Sequence, residues 1–184
     1  QANIQIAEDD PVMGAPGGSQ LRFFRSLYVN MTDEQGVQTR EHPNSITTWI
    51  DGSSVYGSSV ETSNWLRTFE NGKLKVSPNP WGDLLPVAQD DDQTAPPMSF
   101  VGFSADVRFI AGDSRANEHI ALMALHVLFI REHNRLAEDI AERNPDWSDE
   151  DIFQLARKLV AAQIQAITYE EFLPSLGVTL TPYS

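Results

Sequence analysis

The stretch Ala111-Gly112-Asp113-Ser114-Arg115-Ala116-Asn117-Glu118-His119-Ile120-Ala121-Leu122-Met123-Ala124-Leu125-His126-Val127-Leu128-Phe129-Ile130-Arg131-Glu132-His133-Asn134-Arg135-Leu136-Ala137 decides the fold. From Ile120 to Ile130 only His126 is polar. The pattern predicts one long helix from about Ser114 to Arg143, stopped by Asn144-Pro145. A helix that is apolar all round must be covered all round. The elements expected around it are thin cover, so the chain reads as the interior of something larger.

Downstream, Ser148-x-x-Asp151 caps a second helix. Its inner side is expected to carry Ile152, Leu155, Ala156, Leu159, Val160, Ile164 and Ile167. Thr168-x-x-Glu171 is expected to open a short third helix, halted by Pro174 and Gly177. Upstream the signals weaken. Residues 1–44 read as loops, with a strand-like or irregular core run from Leu21 to Val29 and a turn over Asp33 to Gln38. Ile46 to Tyr56 has the composition of extended backbone. Ser58-x-x-Glu61 predicts a helix with Val60, Trp65, Leu66 and Phe69 on one face, ended by Asn71-Gly72. Residues 73–110 read as a long irregular excursion with short strands, including a solvated acidic run, Asp90-Asp91-Asp92. The fold class is mainly α with an irregular N-terminal half, and no domain split is indicated.

Composition removes several classes of function. The formal charge of −13 opposes a phosphate backbone or an anionic membrane surface as partner, and its simplest meaning is solubility. Zero cysteines exclude disulfides, thiolate metal sites and cysteine nucleophiles. No run of roughly 18 apolar residues is present, so no membrane span is expected. Residues 1–20 carry no signal-peptide pattern. Asn30-Met31-Thr32 matches a glycosylation sequon by pattern alone.

Two constellations could carry chemistry. On a helix, Arg115 would share a face with Glu118 and His119, and a helix start favours anions, so Arg115 could polarise a bound oxyanion or peroxide oxygen. On spacing alone, an Arg115–Glu118 ion pair that caps the helix is the simpler reading. His119, His126 and His133 are seven residues apart, too far for two of them to ligate one metal ion. His133, inside Arg131-Glu132-His133-Asn134-Arg135, is expected in a polar network. The second constellation is Thr47-x-Trp49-x-Asp51-x-Ser53. Alternate side chains of an extended segment share a face, so Thr47, Asp51 and Ser53 could offer oxygens with a main-chain carbonyl from Trp49. Calcium wants six to eight hard oxygens, and one carboxylate is too few for a strong site. An ordinary Ser/Thr-rich strand explains the same residues.

Longer blocks surround these residues. Thr47-Thr48-Trp49-Ile50-Asp51-Gly52-Ser53-Ser54-Val55-Tyr56-Gly57-Ser58 resembles the calcium loop of animal-type haem peroxidases, in the peroxidase–cyclooxygenase superfamily. Ala111 to Glu118, with Leu125-His126 and Arg131 to Ala137, resembles that family's distal arginine segment and the helix behind it. Asn144-Pro145-x-Trp147, Ala156-Arg157-Lys158, Tyr169-x-x-Phe172-Leu173-Pro174, Asp10-Pro11 and Phe24-Arg25-Ser26 continue the similarity over nearly the whole chain.

The resemblance implies a haem-peroxidase helical fold and oxidation of an unknown electron donor by hydrogen peroxide, with haem b and calcium as cofactors. It implies Arg115 as the residue that polarises peroxide, and Glu118 as a carboxylate able to form an ester with a haem methyl. Thr47, Trp49 through its carbonyl, Asp51 and Ser53 match the calcium ligands, with Trp49 in place of a common Phe. His119 stands where some members have a methionine bonded to a haem vinyl group, so that link is not expected. Residues 1–184 then form the central segment of one peroxidase domain, with the distal and proximal histidines outside it and the rest of that domain as partner. An extracellular location and a part in the response to oxidative stress come with the resemblance. A fatty-acid dioxygenase of the same superfamily and a non-catalytic calcium-binding or interaction module are the alternatives.

Overall fold

The computed structural model describes residues 2–23, 26–89, 91–99 and 109–181. The chain forms two compact units, Gln1–Asn44 and Ser45–Ser184. Phe24, Arg25 and Asp90, which entered the sequence reading, lie outside the described residues.

The first unit is two antiparallel ribbons. Strand β1 (Ala2–Ile6) pairs with β2 (Ser19–Phe23), running from Ala2 opposite Phe23 to Ile6 opposite Ser19. Strands β3 (Val29–Thr32) and β4 (Gln38–Glu41) form the second ribbon. Its turn is the one expected over Asp33 to Gln38. The Asp33 carboxylate accepts from the backbone N–H of Gln35 at 3.0 Å and of Val37 at 2.8 Å, and Gly36 takes φ 80°. The run from Leu21 to Val29 divides, because β2 stops at Phe23 and β3 begins at Val29.

The second unit is mainly helical. Its order is α1 (Ser53–Tyr56), α2 (Val60–Leu66), α3 (Ile120–Arg143), α4 (Asp149–Ala166), a π-helical segment (Ile167–Phe172) and α5 (Leu173–Ser175). Near their shared turn, Ala137 and Ile140 of α3 cluster with Ile152 and Ala156 of α4. Further along, Gln163 donates to Glu132 at 2.7 Å, so the two helices run antiparallel. The capping box at Ser148 forms in both directions with Asp151. Phe153 joins Ile152, Ala156 and Val160 as the buried side of α4, whereas Leu159 and Ile167 remain exposed.

Four local expectations are corrected. Helix α3 begins at Ile120, six residues after Ser114, because Asp113 turns the preceding backbone and the His119 ring accepts from Ala121 N. The end of the supposed strand Ile46 to Tyr56 is the short helix α1. Ser59, not Ser58, caps α2, its hydroxyl accepting from Thr62 N, and α2 ends at Leu66 with Val60 and Phe69 exposed. Asn71 and Gly72, at φ 51° and 67°, instead turn the chain between the bridged residues Arg67 and Leu74. Thr168 opens no new helix: its hydroxyl donates back to Ile164 O at 2.7 Å and the backbone widens into the π segment.

The irregular segment from Arg67 to Phe109 shows isolated bridges rather than strands among its described residues. Its acidic run is not wholly solvated, since Asp92 accepts from the Trp65 indole at 2.9 Å. Arg67 is buried and pairs with Asp149 and Glu150 at the start of α4, its guanidinium stacked over Phe153. The core gathers around Tyr56, His133 and Phe153, three rings in edge-to-face contact with centroids 5.3–5.8 Å apart.

Candidate functional site

Four oxygen groups converge in the loop that leads into α1. The Thr47 hydroxyl lies 2.9 Å from Asp51 Oδ1, 3.3 Å from the Trp49 carbonyl and 3.4 Å from the Ser53 hydroxyl. One hydroxyl proton satisfies one acceptor, so several lone pairs face the same small space. Asp51 Oδ1 also accepts from Ser53 N at 3.0 Å, which closes the loop. Trp49 as a residue is 79 % exposed, while its carbonyl lies 3.3 Å from the Thr47 hydroxyl. The four residues read from the sequence are therefore together, but in a turn rather than by strand alternation.

The arginine lies on a second turn, just ahead of α3. Asp113 Oδ1 accepts from Arg115 N at 2.9 Å and Arg115 Nε at 3.0 Å, and Oδ2 accepts from Arg115 Nη2 at 2.7 Å. This fork holds the Asp113 carboxyl below its ordinary pKa and raises that of Arg115. The ion pair of Arg115 is thus with Asp113, not with Glu118. Glu118 N donates to Arg115 O at 2.9 Å, and the Glu118 side chain is exposed.

The backbone of this turn is anchored from below. Ala116 is fully buried, and the Asn117 amide donates to Phe109 O at 2.8 Å. Gly112 is pressed against α1: a β-carbon there would stand 2.4 Å from Gly57 N and 2.5 Å from Ser53 O. The oxygen loop and the arginine turn thus abut through a residue with no side chain. Sequence reasoning missed Gly112, Asp113 and Asn117 as supports; Asp at two positions before Arg, able to form a local turn, was the available signal.

The histidines divide by role. His119 is exposed and caps α3. The His126 ring donates from Nδ1 to Leu122 O at 2.8 Å and is buried. His133 donates from Nε2 to Gly72 O and accepts at Nδ1 from the Tyr56 hydroxyl, both at 2.8 Å, which fixes its neutral tautomer in the expected polar network. Burial holds its pKa down to about 4. No cluster of three or more His, Cys, Asp or Glu suited to a metal ion occurs among the described residues.

A helical unit with an exposed arginine turn beside an oxygen-lined loop is the arrangement that comparison with known proteins then places. The animal haem peroxidase family model matches residues 1–179, and the chain belongs to that family. Human lactoperoxidase is 38 % identical over 176 residues, covering 94 % of this chain and 25 % of that protein. Among solved structures, peroxidase A from Dictyostelium discoideum superposes with a TM-score of 0.83 at 32 % identity, over the whole chain and 38 % of its own. A fatty acid alpha-dioxygenase from Arabidopsis thaliana follows at 0.61 and 25 % identity, covering 91 % of this chain and 23 % of its own. The chain spans between 10 % and 31 % of the length of curated relatives that it matches. The fold is therefore the family's mainly helical one, with small sheets, and haem is the cofactor the family implies. Among the described residues no helix is long and apolar enough to cross a membrane.

Proposed function

We propose that this chain is the central segment of a haem-dependent peroxidase that oxidises a donor with hydrogen peroxide, and that it supplies the arginine face of the haem site. The observation that carries the reading is the arginine turn itself: Arg115 and Glu118 stand exposed on a backbone fixed by Gly112, Ala116 and Asn117. Fit to haem rests on chemistry. A cation and a carboxylate stand beside Ile120, which is 81 % exposed, and together they suit the face and rim of a flat apolar macrocycle with acidic substituents. None of His42, His119, His126 and His133 matches the family's iron-ligand or catalytic-base motif, so in this reading both groups come from outside residues 1–184.

Haem supplies the redox chemistry when bound; the protein supplies orientation and electrostatics. The Arg115 guanidinium, with Nε and Nη2 held by Asp113, keeps its Nη1 edge for a peroxide oxygen and stabilises negative charge as the O–O bond lengthens. Glu118 would be the carboxylate that forms an ester with a haem methyl, with hydrogen peroxide as the two-electron oxidant that removes the methyl hydrogen. Thr47, Trp49 O, Asp51 and Ser53 would hold calcium, and the single carboxylate calls for a further acidic ligand from elsewhere in the domain. An extracellular location belongs to the same reading.

In the haem-loaded protein, Arg115→Ala should slow the reaction with peroxide on the order of 10²–10³-fold while haem stays bound. A wild-type rate in stopped-flow absorbance rules the role out. Glu118→Gln should leave the haem extractable by acid and organic solvent, because an amide forms no such ester. Asp51→Ala should lower both the calcium content and the melting temperature, since metal binding couples to folding; unchanged calcium by elemental analysis removes that ligand from the set. The likeness to the alpha-dioxygenase favours a second reading, oxygenation of a fatty acid. Oxygen uptake with a fatty acid and no peroxide would select it, and absence of any haem spectrum would select a non-catalytic module.

A further inference from the structure

We infer that Asp113 is a positioning residue: its carboxylate forks the Nε and Nη2 edge of Arg115 and so aims the remaining Nη1 edge at the ligand side of the site. The inference rests on the peroxidase reading above. Arg115 has an exposed side chain, 56 % accessible, on a turn before the helix. A long side chain in that setting would ordinarily sample several rotamers. Here it cannot do so freely, because one carboxylate takes three of its hydrogen bonds, including the one from its own backbone N–H. Two parallel N–H···O bonds fix the plane of a guanidinium as well as its place.

Asp113 can act as a fixed post because it is itself held. Its side chain is only 11 % accessible. The preceding Gly112 is locked against the backbone of α1, and the following Ala116 is fully buried, its N–H donating to Asp113 O at 3.1 Å. Orientation therefore passes from the core, through Gly112 and Asp113, to a guanidinium that is otherwise open to solvent. Glu118, the other acid on the turn, forms no side-chain bond to Arg115 and leaves this work to Asp113.

The test uses the haem-loaded protein and fluoride, a small anion that binds ferric haem and accepts hydrogen bonds from cations on that face. Asp113→Asn is the first variant. Its amide oxygen can still accept from Arg115 N and keep the turn, but the charge is gone and the NH₂ group repels Nη2. Fluoride binding, followed by haem absorbance, should weaken about tenfold, and the peroxide reaction should slow by a similar factor, as expected when a reacting group loses its alignment. In an Arg115→Ala background the same substitution should change neither quantity, because Asp113 acts through the arginine. Asp113→Glu, which keeps the charge, should fall between the wild type and Asp113→Asn; it carries the test if the Asn variant takes up no haem, and must then weaken fluoride binding less than Arg115→Ala does. Unchanged fluoride affinity in Asp113→Asn overturns the inference. Tighter binding also overturns it, since Asp113 would then be withholding the arginine. Independent, multiplying effects of the Asp113 and Arg115 substitutions overturn it as well. If Arg115→Ala itself has no effect, it is the peroxidase reading that fails.

Discussion

The two halves of α3 share one helix and obey opposite rules. From Ile130 onward, burial falls on Ile130, His133, Ala137 and Ile140, spaced three and four apart, while charged residues face out. Arg135 pairs there with Glu132 and Asp139, and Lys73 reaches Glu138. From Ile120 to Phe129 the residues are nearly all apolar, yet Ile120, Leu125 and Leu128 are 81 %, 54 % and 56 % exposed, and the polar His126 is buried. The second half is a finished surface helix. The first presents to its surroundings the apolar surface that a protein ordinarily buries against something else. The arginine turn sits at the open end, so the proposed chemistry and the unfinished surface coincide.

Substitutions at the finished end should have the largest effect. His133→Ala deletes a fully buried ring and strands the Tyr56 hydroxyl and Gly72 carbonyl, at a cost of about 3 kcal/mol. Urea unfolding of the haem-loaded protein measures it, and a loss under about 1 kcal/mol would break the contrast.

Acid should reveal the same site. The pKa of His133 falls from its ordinary 6.5 to about 4 on folding, because burial disfavours the imidazolium. Between these values the unfolded chain binds the proton and the folded one does not. The contribution is thus complete above pH 6.5 and is lost as pH falls towards 4, amounting to about 3 kcal/mol. A His133→Gln variant should show a flatter dependence of unfolding midpoint on pH across this window; an unchanged slope would assign the acid sensitivity elsewhere.

At the open end the expected change is smallest. Ile120→Ser should alter the unfolding free energy of this chain by no more than about 0.5 kcal/mol, since the side chain is mostly in water already. It should instead lower the tendency of the isolated chain to associate, read by light scattering. A large loss of stability would mean that Ile120 is already covered.

What could be read from the sequence follows the range of the interactions. The capping box of Ser148 and Asp151 and the turn at Asp33 close within a few residues, and both were legible. The start of α3 was not, because periodicity cannot show that Asp113 captures Arg115 N before the helix begins. The short α1 was hidden by a composition of Ser, Val and Tyr that suits strands equally well. His133 was legible as a polar network member, but its partners lie 61 and 77 residues upstream and no local rule reaches them. The four residues of the oxygen loop do lie together, but in a turn and not through the strand alternation argued from the sequence. Asp113 was legible as a neighbour of Arg115, Glu118 and His119, but the fork it makes with Arg115 was not, because helix spacing pairs Arg115 with Glu118 instead.

Gly112 bears on how this region can change over generations. At its contact with α1 the nearest atoms are Gly57 N, Ser53 O and Val55 C, all main-chain. The side chains of Ser53 and Val55 therefore take no part in this contact, whereas Gly57 is itself fixed, since it holds φ 83° and a β-carbon there would stand 2.5 Å from the Thr62 side chain. Position 112 is fixed as well, since even a methyl group would overlap atoms at 2.4–2.7 Å. The joint between the two loops thus rests on a glycine from each side, Gly112 from the arginine turn and Gly57 from the end of α1. A lineage could replace the chemistry of either loop and still inherit the spacing between them, but it could lose neither glycine without moving one loop against the other.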